Sequence, residues 1–183
     1  MNYLSTFKNK KIIVTGHTGF KGSWLALWLN TLGAKVLGLS KDVPTKPSHF
    51  ALIKLNKGIY SKKINIQNLK ALKKIFKEFQ PDYIFHLAAQ STVKKSYLKT
   101  TETWKTNLMG TINVMEALKS QKKRGQTIVV LITSDKAYKN VEKKEGYKEG
   151  DLLGGVDPYG ASKSAAEIAI NSYIKSFFSS KKN

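Results

Sequence analysis

Ser134, Asp135 and Lys136 stand in succession where an apolar, β-branched run ends, in LITSDKAYKN (131–140). A hydroxyl, a carboxyl and an amine just past a buried strand read either as a turn that happens to be polar or as three catalytic groups carried on a strand end. Further on, DPYGASKSAAE sets Tyr159 and Lys163 four residues apart near a helix start, so both side chains share one face. A tyrosine titrates near pH 10 and is a poor base at neutral pH, but a neighbouring ammonium favours the phenolate and brings it into range. The same lysine suits the hydroxyls of a ribose. Alone, the first group reads equally as a capped turn and the second as a solvated helix face.

A third feature changes their weight. Gly16, Gly19 and Gly22 in VTGHTGFKGSW lie between a predicted strand and a predicted helix. Glycine is required there where the backbone turns tightly, where it approaches a pyrophosphate, and where helix and strand pack closely. The helix N-terminus offers N–H donors and the positive end of its dipole to that phosphate. With the loop come Thr18, Phe20 and Lys21 as backbone or side-chain contacts. An acid about 20 residues on commonly holds the adenine ribose. Here Asp42 is the candidate for NAD, whereas Lys41 suits the 2′-phosphate of NADP, and the residues leave both open. His17 and His86 sit in the glycine loop and in an apolar strand, where positional roles are expected, and no metal-ligand spacing occurs.

Composition narrows the rest. The 183 residues suit one domain with a real core. A net charge of +20 raises the possibility of nucleic-acid binding, but only Arg124 among 32 basic residues is arginine, and lysines such as Lys8, Lys54, Lys73, Lys94 and Lys143 fall on separate elements. Lysine-rich solvated faces explain this better than a nucleic-acid footprint. Cysteine is absent, the N-terminal stretch does not read as a signal peptide, and no run reaches the ~18 apolar residues of a membrane span. A cytoplasmic protein without membrane contact is the expectation.

The elements that must position these groups alternate. KIIVTG, KVLGLS, PDYIFHLAA and TIVVLITS read as strands, with a weaker one near IYSKKINI. The predicted helices are GFKGSWLALWLNTLGA, with Trp24, Leu25, Leu27, Trp28, Leu29 and Leu32 at helical spacing, then NLKALKKIFKEFQ, then TTETWKTNLMGTINVMEALKS interrupted at Gly110, and DPYGASKSAAEIAINSYIKSFF, capped by Asp157 with Pro158 first. The alternation predicts an α/β, Rossmann-type doubly wound parallel sheet, with residues 1–183 forming a single cofactor-binding domain.

TGHTGFKG, HLAAQ, TNLMGT and YGASK together resemble the extended short-chain dehydrogenase/reductase group of nucleotide-sugar enzymes. Within it the chain is most similar to the CDP-glucose 4,6-dehydratases, through GHTGFKGSWLALWL, FHLAAQSTVKKSY, ETWKTNLMGTINVMEAL, TSDKAY and LGGVDPYGASKSAAE. The related dTDP-glucose dehydratases carry an acid at the place of Lys136, and epimerases lack the acid pair. The resemblance implies NAD, a nucleotide-sugar substrate (CDP-glucose) and a homodimer for the full-length family. It implies that Tyr159 takes the C4 hydroxyl proton while Lys163 tunes it, that Ser134 orients that hydroxyl, and that Asp135 protonates the departing C6 hydroxyl. Lys136 is implied as the C5 base or as a stabiliser of charge there, its deprotonation helped by burial and by Lys163 nearby. Ala88, Ala89, Gln90 and Thr133 are implied along the cofactor, Asn107 as an anchor of the active-site helix, and Ser91, Lys94 and Tyr97 toward the substrate. The chain departs from the family at Asn65, where an acid often meets adenine. Family members are much longer, so the expectation is a sheet stopping before its last strand and before the C-terminal substrate domain. The other readings are a different nucleotide-sugar epimerase or dehydratase, or an inactive fragment that binds NAD or a polyanion.

Overall fold

A computed structural model describes residues 5–121 and 126–178, so Arg124 lies outside the described residues. The chain divides into two compact units, Met1–Ala88 with Ser120–Ile132, and Ala89–Lys119 with Thr133–Asn183.

The first unit carries the sheet. Strands β1 (Lys11–Thr15), β2 (Lys35–Ser40), β3 (Tyr60–Lys63), β4 (Tyr83–His86) and β5 (Ile128–Leu131) are all parallel, in the order β3-β2-β1-β4-β5. Ile12, Ile13 and Val14 are fully buried, as expected of a central strand covered on both faces. The path runs outward from β1 through β2 to β3 and then returns to β4. The strand order therefore reverses between β1 and β4, and the crevice beyond their carboxyl ends is where ligands of such sheets bind.

Helix α1 (Phe20–Thr31) buries Gly22, Ser23, Ala26 and Leu29. Trp24 and Trp28 of the expected stripe are exposed instead, because the small residues let the helix approach the sheet more closely than tryptophan allows. Ile12, Val14, Ala26, Leu29 and Val36 form the core at this contact, with Phe7, Tyr83 and Phe85 packed against it. Helix α2 (His49–Leu52) is a single turn capped by Ser48. Helix α3 (Leu69–Phe79) follows its sequence pattern, with Asn68 as cap and Leu72, Ile75 and Phe76 buried. The most strand-like sequence, β5, pairs with β4 and leaves Ile128 and Val130 exposed.

The second unit holds helices α4 (Val93–Leu98), α5 (Thr100–Trp104), α6 (Gly110–Lys119) and α7 (Pro158–Tyr173). Between α5 and α6 the expected break at Gly110 is replaced by a π-helical turn, Lys105–Met109, after which Gly110 opens α6 as a buried residue. The long C-terminal helix ends at Tyr173 and continues as a second π turn, Ile174–Phe178. The segment between Lys139 and Gly155 is knit by a bridge from Tyr138 to Leu153, a stacked pair of Tyr138 and Tyr147 (5.5 Å), and an ion pair of Lys143 with Asp151.

Candidate functional site

In the first unit the glycine loop is built by close approach. Gly16 has φ +74°, and a Cβ there would lie 2.8 Å from the backbone nitrogen of Ala88, so the carboxyl ends of β1 and β4 touch through backbone alone. The Ala88 N–H donates to Thr15 Oγ1 (3.1 Å), and the Thr15 hydroxyl also pairs with His86 Nδ1 (2.7 Å). A Cβ on Gly22 would come within 2.1 Å of the Gly16 carbonyl oxygen, which locks the first turn of α1 onto the loop. Gly19 is the N-cap and offers no side chain to the helix N–H groups, and no acid occupies the first turn. This bare, positively polarised end fits the pyrophosphate of a dinucleotide.

Around the loop, Thr18 is buried and its hydroxyl donates to the Asp42 carbonyl (2.6 Å), while its N–H donates to Ser40 Oγ (3.3 Å). Phe20, Lys21 and the Asp42 side chain are exposed beside it. A hollow of about 260 Å³ adjoins them, lined by Thr18, Phe20, Thr45, Pro47, Ser48 and His49 among others. Asn65, at the family's acidic position, accepts a hydrogen bond from the Gln67 N–H through Oδ1 (3.0 Å).

His17 has the positional surroundings expected of it. Its ring is buried over Gly38, with Nδ1 against Ser40 Oγ (2.9 Å) and Nε2 against Ser61 Oγ (2.7 Å), tying the loop to β2 and β3. Burial pushes its pKa below the ordinary 6.5, against a smaller opposing effect of the Leu39 carbonyl. The folded chain thus binds fewer protons than the unfolded chain once the pH falls below about 6.5, and its stability drops over that range. A melting series is expected to show Tm falling on acidification, with a shallower dependence in His17→Gln. Equal slopes in the two proteins would show that His17 does not carry the effect.

In the second unit the other candidates come together on α7. Asp157 caps the helix, accepting from the N–H groups of Tyr159 (2.9 Å) and Gly160 (3.1 Å), which fixes the turn that presents Tyr159. Lys163, one turn on, is buried, and burial lowers its pKa against the opposing charge of Glu167. Ser134 accepts from the Lys136 N–H (3.2 Å) and donates to Asp135 Oδ1 (3.1 Å), capping the short 3-10 turn Asp135–Ala137. The turn and the polar triad are the same residues. Asp135 and Lys136 are exposed, so burial does not act on Lys136 as expected.

Residues not singled out from sequence hold this turn to α7. Ser164 Oγ donates to the Ala137 carbonyl (2.6 Å) and accepts from the Gly155 N–H (3.0 Å). Gly160 approaches so closely that a Cβ would lie 2.8 Å from the Lys136 carbonyl oxygen. The Thr133 hydroxyl, expected along the cofactor, donates to Glu167 Oε1. All but Thr133 fall within LGGVDPYGASKSAAE, where a serine directly after Lys163 and small residues at 155 and 160 were the available signal.

Asn107 lies in the π turn and is buried, its amide donating to the Gln90 carbonyl (3.0 Å) and Ser162 Oγ (2.9 Å) while Oδ1 accepts from the Gln90 N–H (2.8 Å). Gln90 in turn donates to the Thr92 carbonyl and Thr103 Oγ1. Ala89 is partly buried at the start of this unit; Ser91, Lys94 and Tyr97 are exposed on or just before α4. Among the described residues no group of three His, Cys, Asp or Glu is placed to hold a metal, and no helix is long and apolar enough to cross a membrane.

The chain is similar in sequence and in fold to known proteins. The model of a family described as GDP-mannose 4,6 dehydratase matches residues 13–179. The chain belongs to that family. Within reach of it, the chain is 44% identical over 172 residues to a CDP-glucose 4,6-dehydratase of Salmonella typhimurium, covering 94% of this chain and 47% of that protein. It is 30% identical to a probable dTDP-glucose 4,6-dehydratase of Sinorhizobium fredii, over 86% of this chain and 47% of the relative. Among solved structures, an epimerase of Methanothermobacter thermautotrophicus superposes with a TM-score of 0.82 at 26% identity, over 97% of this chain and 51% of the other. The UDP-glucose 4-epimerase of Thermus thermophilus in complex with NAD gives 0.75 at 27% identity, over 91% and 51%. The fold is thus the Rossmann-type sheet of the dehydratase and epimerase enzymes, and the chain spans about half the length of the curated relatives it matches.

Proposed function

We propose that this chain is the NAD-binding and acid/base portion of a nucleotide-sugar 4,6-dehydratase, a lyase, with CDP-glucose as substrate. The observation that carries this reading is the pinning of the Ser134–Asp135–Lys136 turn to the helix of Tyr159 and Lys163, through Ser164 and the close approach at Gly160. A dehydratase needs an oxidising pair and an eliminating pair on one framework. The 44% identity to a CDP-glucose 4,6-dehydratase supports the choice of sugar nucleotide.

In this reading the bare N-terminus of α1, with Gly16, Thr18, Gly19, Phe20, Lys21 and Gly22, holds the pyrophosphate, and Asp42 the adenine ribose. Ala88, Ala89, Gln90 and Thr133 line the dinucleotide, and Asn107 anchors the α7 framework through Gln90 and Ser162. Bound NAD would supply the hydride acceptor for C4 of the sugar, and return of that hydride to C6 would be matched by return of a proton to C5. Tyr159 takes the C4 hydroxyl proton, since an ammonium beside a phenol favours the phenolate, and Lys163 holds the nicotinamide ribose. Ser134 orients the C4 hydroxyl. Once C4 is a ketone, the C5 proton is acidic; Lys136 removes it or steadies the resulting charge, and Asp135 protonates the leaving C6 hydroxyl. Ser91, Lys94 and Tyr97 lie on the substrate side. The full-length enzyme acts as a homodimer in the cytoplasm, and residues 1–183 act as one cofactor-binding domain.

Calorimetric titration of the purified chain with NAD tests the cofactor half. Binding is expected, and a hundredfold excess of NAD over its Kd should add about 2.7 kcal/mol to the stability of a single cooperative unfolding transition. Absence of NAD binding sinks the proposal, and two separate transitions sink the single-domain part. The substrate is tested by offering CDP-, dTDP-, GDP- and UDP-glucose or mannose to a chain extended to the length of its relatives. Turnover of UDP-sugars by epimerisation would replace this reading with an epimerase.

A further inference from the structure

One carboxylate on α7 is not used by the chemistry above. Glu167 lies one turn beyond Lys163 and three residues beyond Ser164. Thr133 and Ala137 bracket the Ser134–Asp135–Lys136 turn, and both are held by α7: Ala137 by the Ser164 hydroxyl, and Thr133 by Glu167. The catalytic turn is therefore gripped at both ends from a single helix. Its other neighbour, Lys163, is buried, and a buried ammonium requires a negative partner to remain charged.

We propose that Glu167 is a positioning residue: it fixes one end of the catalytic turn through the Thr133 hydroxyl and serves as the counter-charge of the buried Lys163. One side chain then sets both the placement of the eliminating pair and the charge state of the oxidising pair. This rests on the reading of Lys163 and the turn as acid/base groups.

The other charged groups on and around α7 have partners of their own or carry positive charge. The elements packed against α7 carry Lys94 and Lys95 on α4, Glu102 on α5, Lys105 in the first π turn, Glu116 and Lys119 on α6, Asp135 and Lys136 in the 3-10 turn, and Lys175 in the second π turn. Glu102 is 3.8 Å from Lys99, and Glu116 accepts from Tyr173 (2.8 Å) and Lys119 (2.9 Å). Asp135 accepts from Ser134, Asp157 accepts from the N–H groups of Tyr159 and Gly160, and the lysines are cations that would oppose a charged Lys163. Burial lowers the Lys163 pKa and the negative charge of Glu167, one helical turn away, raises it.

The test is NMR of the lysine side-chain Cε–Nζ correlations in the whole chain, followed against pH, with the Lys163 signal assigned by its loss in Lys163→Met. In Glu167→Gln, which keeps an acceptor for Thr133 but no charge, the Lys163 signal is expected to titrate at lower pH than in the parent. In Glu167→Asp, which keeps the charge but shortens the reach to Thr133, it is expected to stay close to the parent. An unmoved Lys163 titration in a folded Glu167→Gln chain overturns the proposal. Should that variant not fold, Glu167→Met takes its place, and an unmoved Lys163 titration in it is equally fatal. The signal does not depend on cofactor or turnover, so failure to bind NAD would count against the proposed function and leave the Glu167 result standing.

Discussion

Gly22→Ala is expected to lower the melting temperature of the chain by several degrees and to remove most of the further stabilisation that NAD confers. The added methyl would meet three backbone atoms, the Gly16 carbonyl oxygen at 2.1 Å, the Gly16 carbonyl carbon at 2.8 Å and the His17 Cα at 3.0 Å. No rotamer change relieves a clash with backbone, so either the first turn of α1 or the glycine loop must move. Overpacking of this kind costs about 1–3 kcal/mol, and at this chain length each kcal/mol lowers Tm by about 2–4 °C. The same movement misaligns the N–H groups that would meet the pyrophosphate, so the NAD-induced rise in Tm should fall with it. Gly150→Ala is the control, because nothing lies within 4 Å of a Cβ there. A Gly22→Ala chain that melts and responds to NAD like the Gly150→Ala chain would show that the close approach is not needed.

Asp135→Asn and Lys136→Met are expected to separate the two halves of the proposed reaction. In a chain extended to the length of its relatives, each should reduce formation of the dehydrated sugar by about 10²–10⁴-fold, the usual worth of a positioned acid or base. With oxidation at C4 assigned to Tyr159 and Lys163 in the proposed reaction, reduced-nicotinamide absorbance should accumulate with substrate in these variants and not in Tyr159→Phe. Asparagine keeps the Oδ1 that accepts from Ser134, so the turn itself should survive the first substitution. If oxidation and elimination fall together in Asp135→Asn, that residue supports the site as a whole and the assigned division of labour is wrong.

Much of the framework behind these expectations was legible in the sequence, and the exceptions share a cause. The strands and α3 follow from local periodicity, because an apolar stripe such as Leu72, Ile75 and Phe76 has one face to bury. Helix α1 misled because it is apolar nearly all round. Periodicity located its large residues, whereas the face that reaches the core is chosen by the close contact of Gly22 with Gly16. The chemical groups at 134–136, 159 and 163 were visible as residue types. What holds them was not: Ser164 and Glu167 act through contacts between residues far apart in sequence, Ser164 with Ala137 at a separation of 27 and Glu167 with Thr133 at 34. The exposure of Lys136 belongs to the same class, since burial is a property of the assembled neighbours and not of the local string.

The π turn at Lys105–Met109 has a consequence for which sequence changes this helix tolerates. A π turn accommodates one residue more than the regular helix would over the same rise, and Asn107 lies inside it, bonded to both Gln90 and Ser162. Each residue advances an α-helix by about 100°, following from 3.6 residues per turn. Loss of a single codon here would let the segment relax into continuous α-helix while rotating Asn107 a quarter-turn or more away from both partners. Substitutions along its exposed face change little by comparison. The helix is therefore far more sensitive to insertions and deletions than to replacements, and its length between Trp104 and Gly110 is itself part of the site.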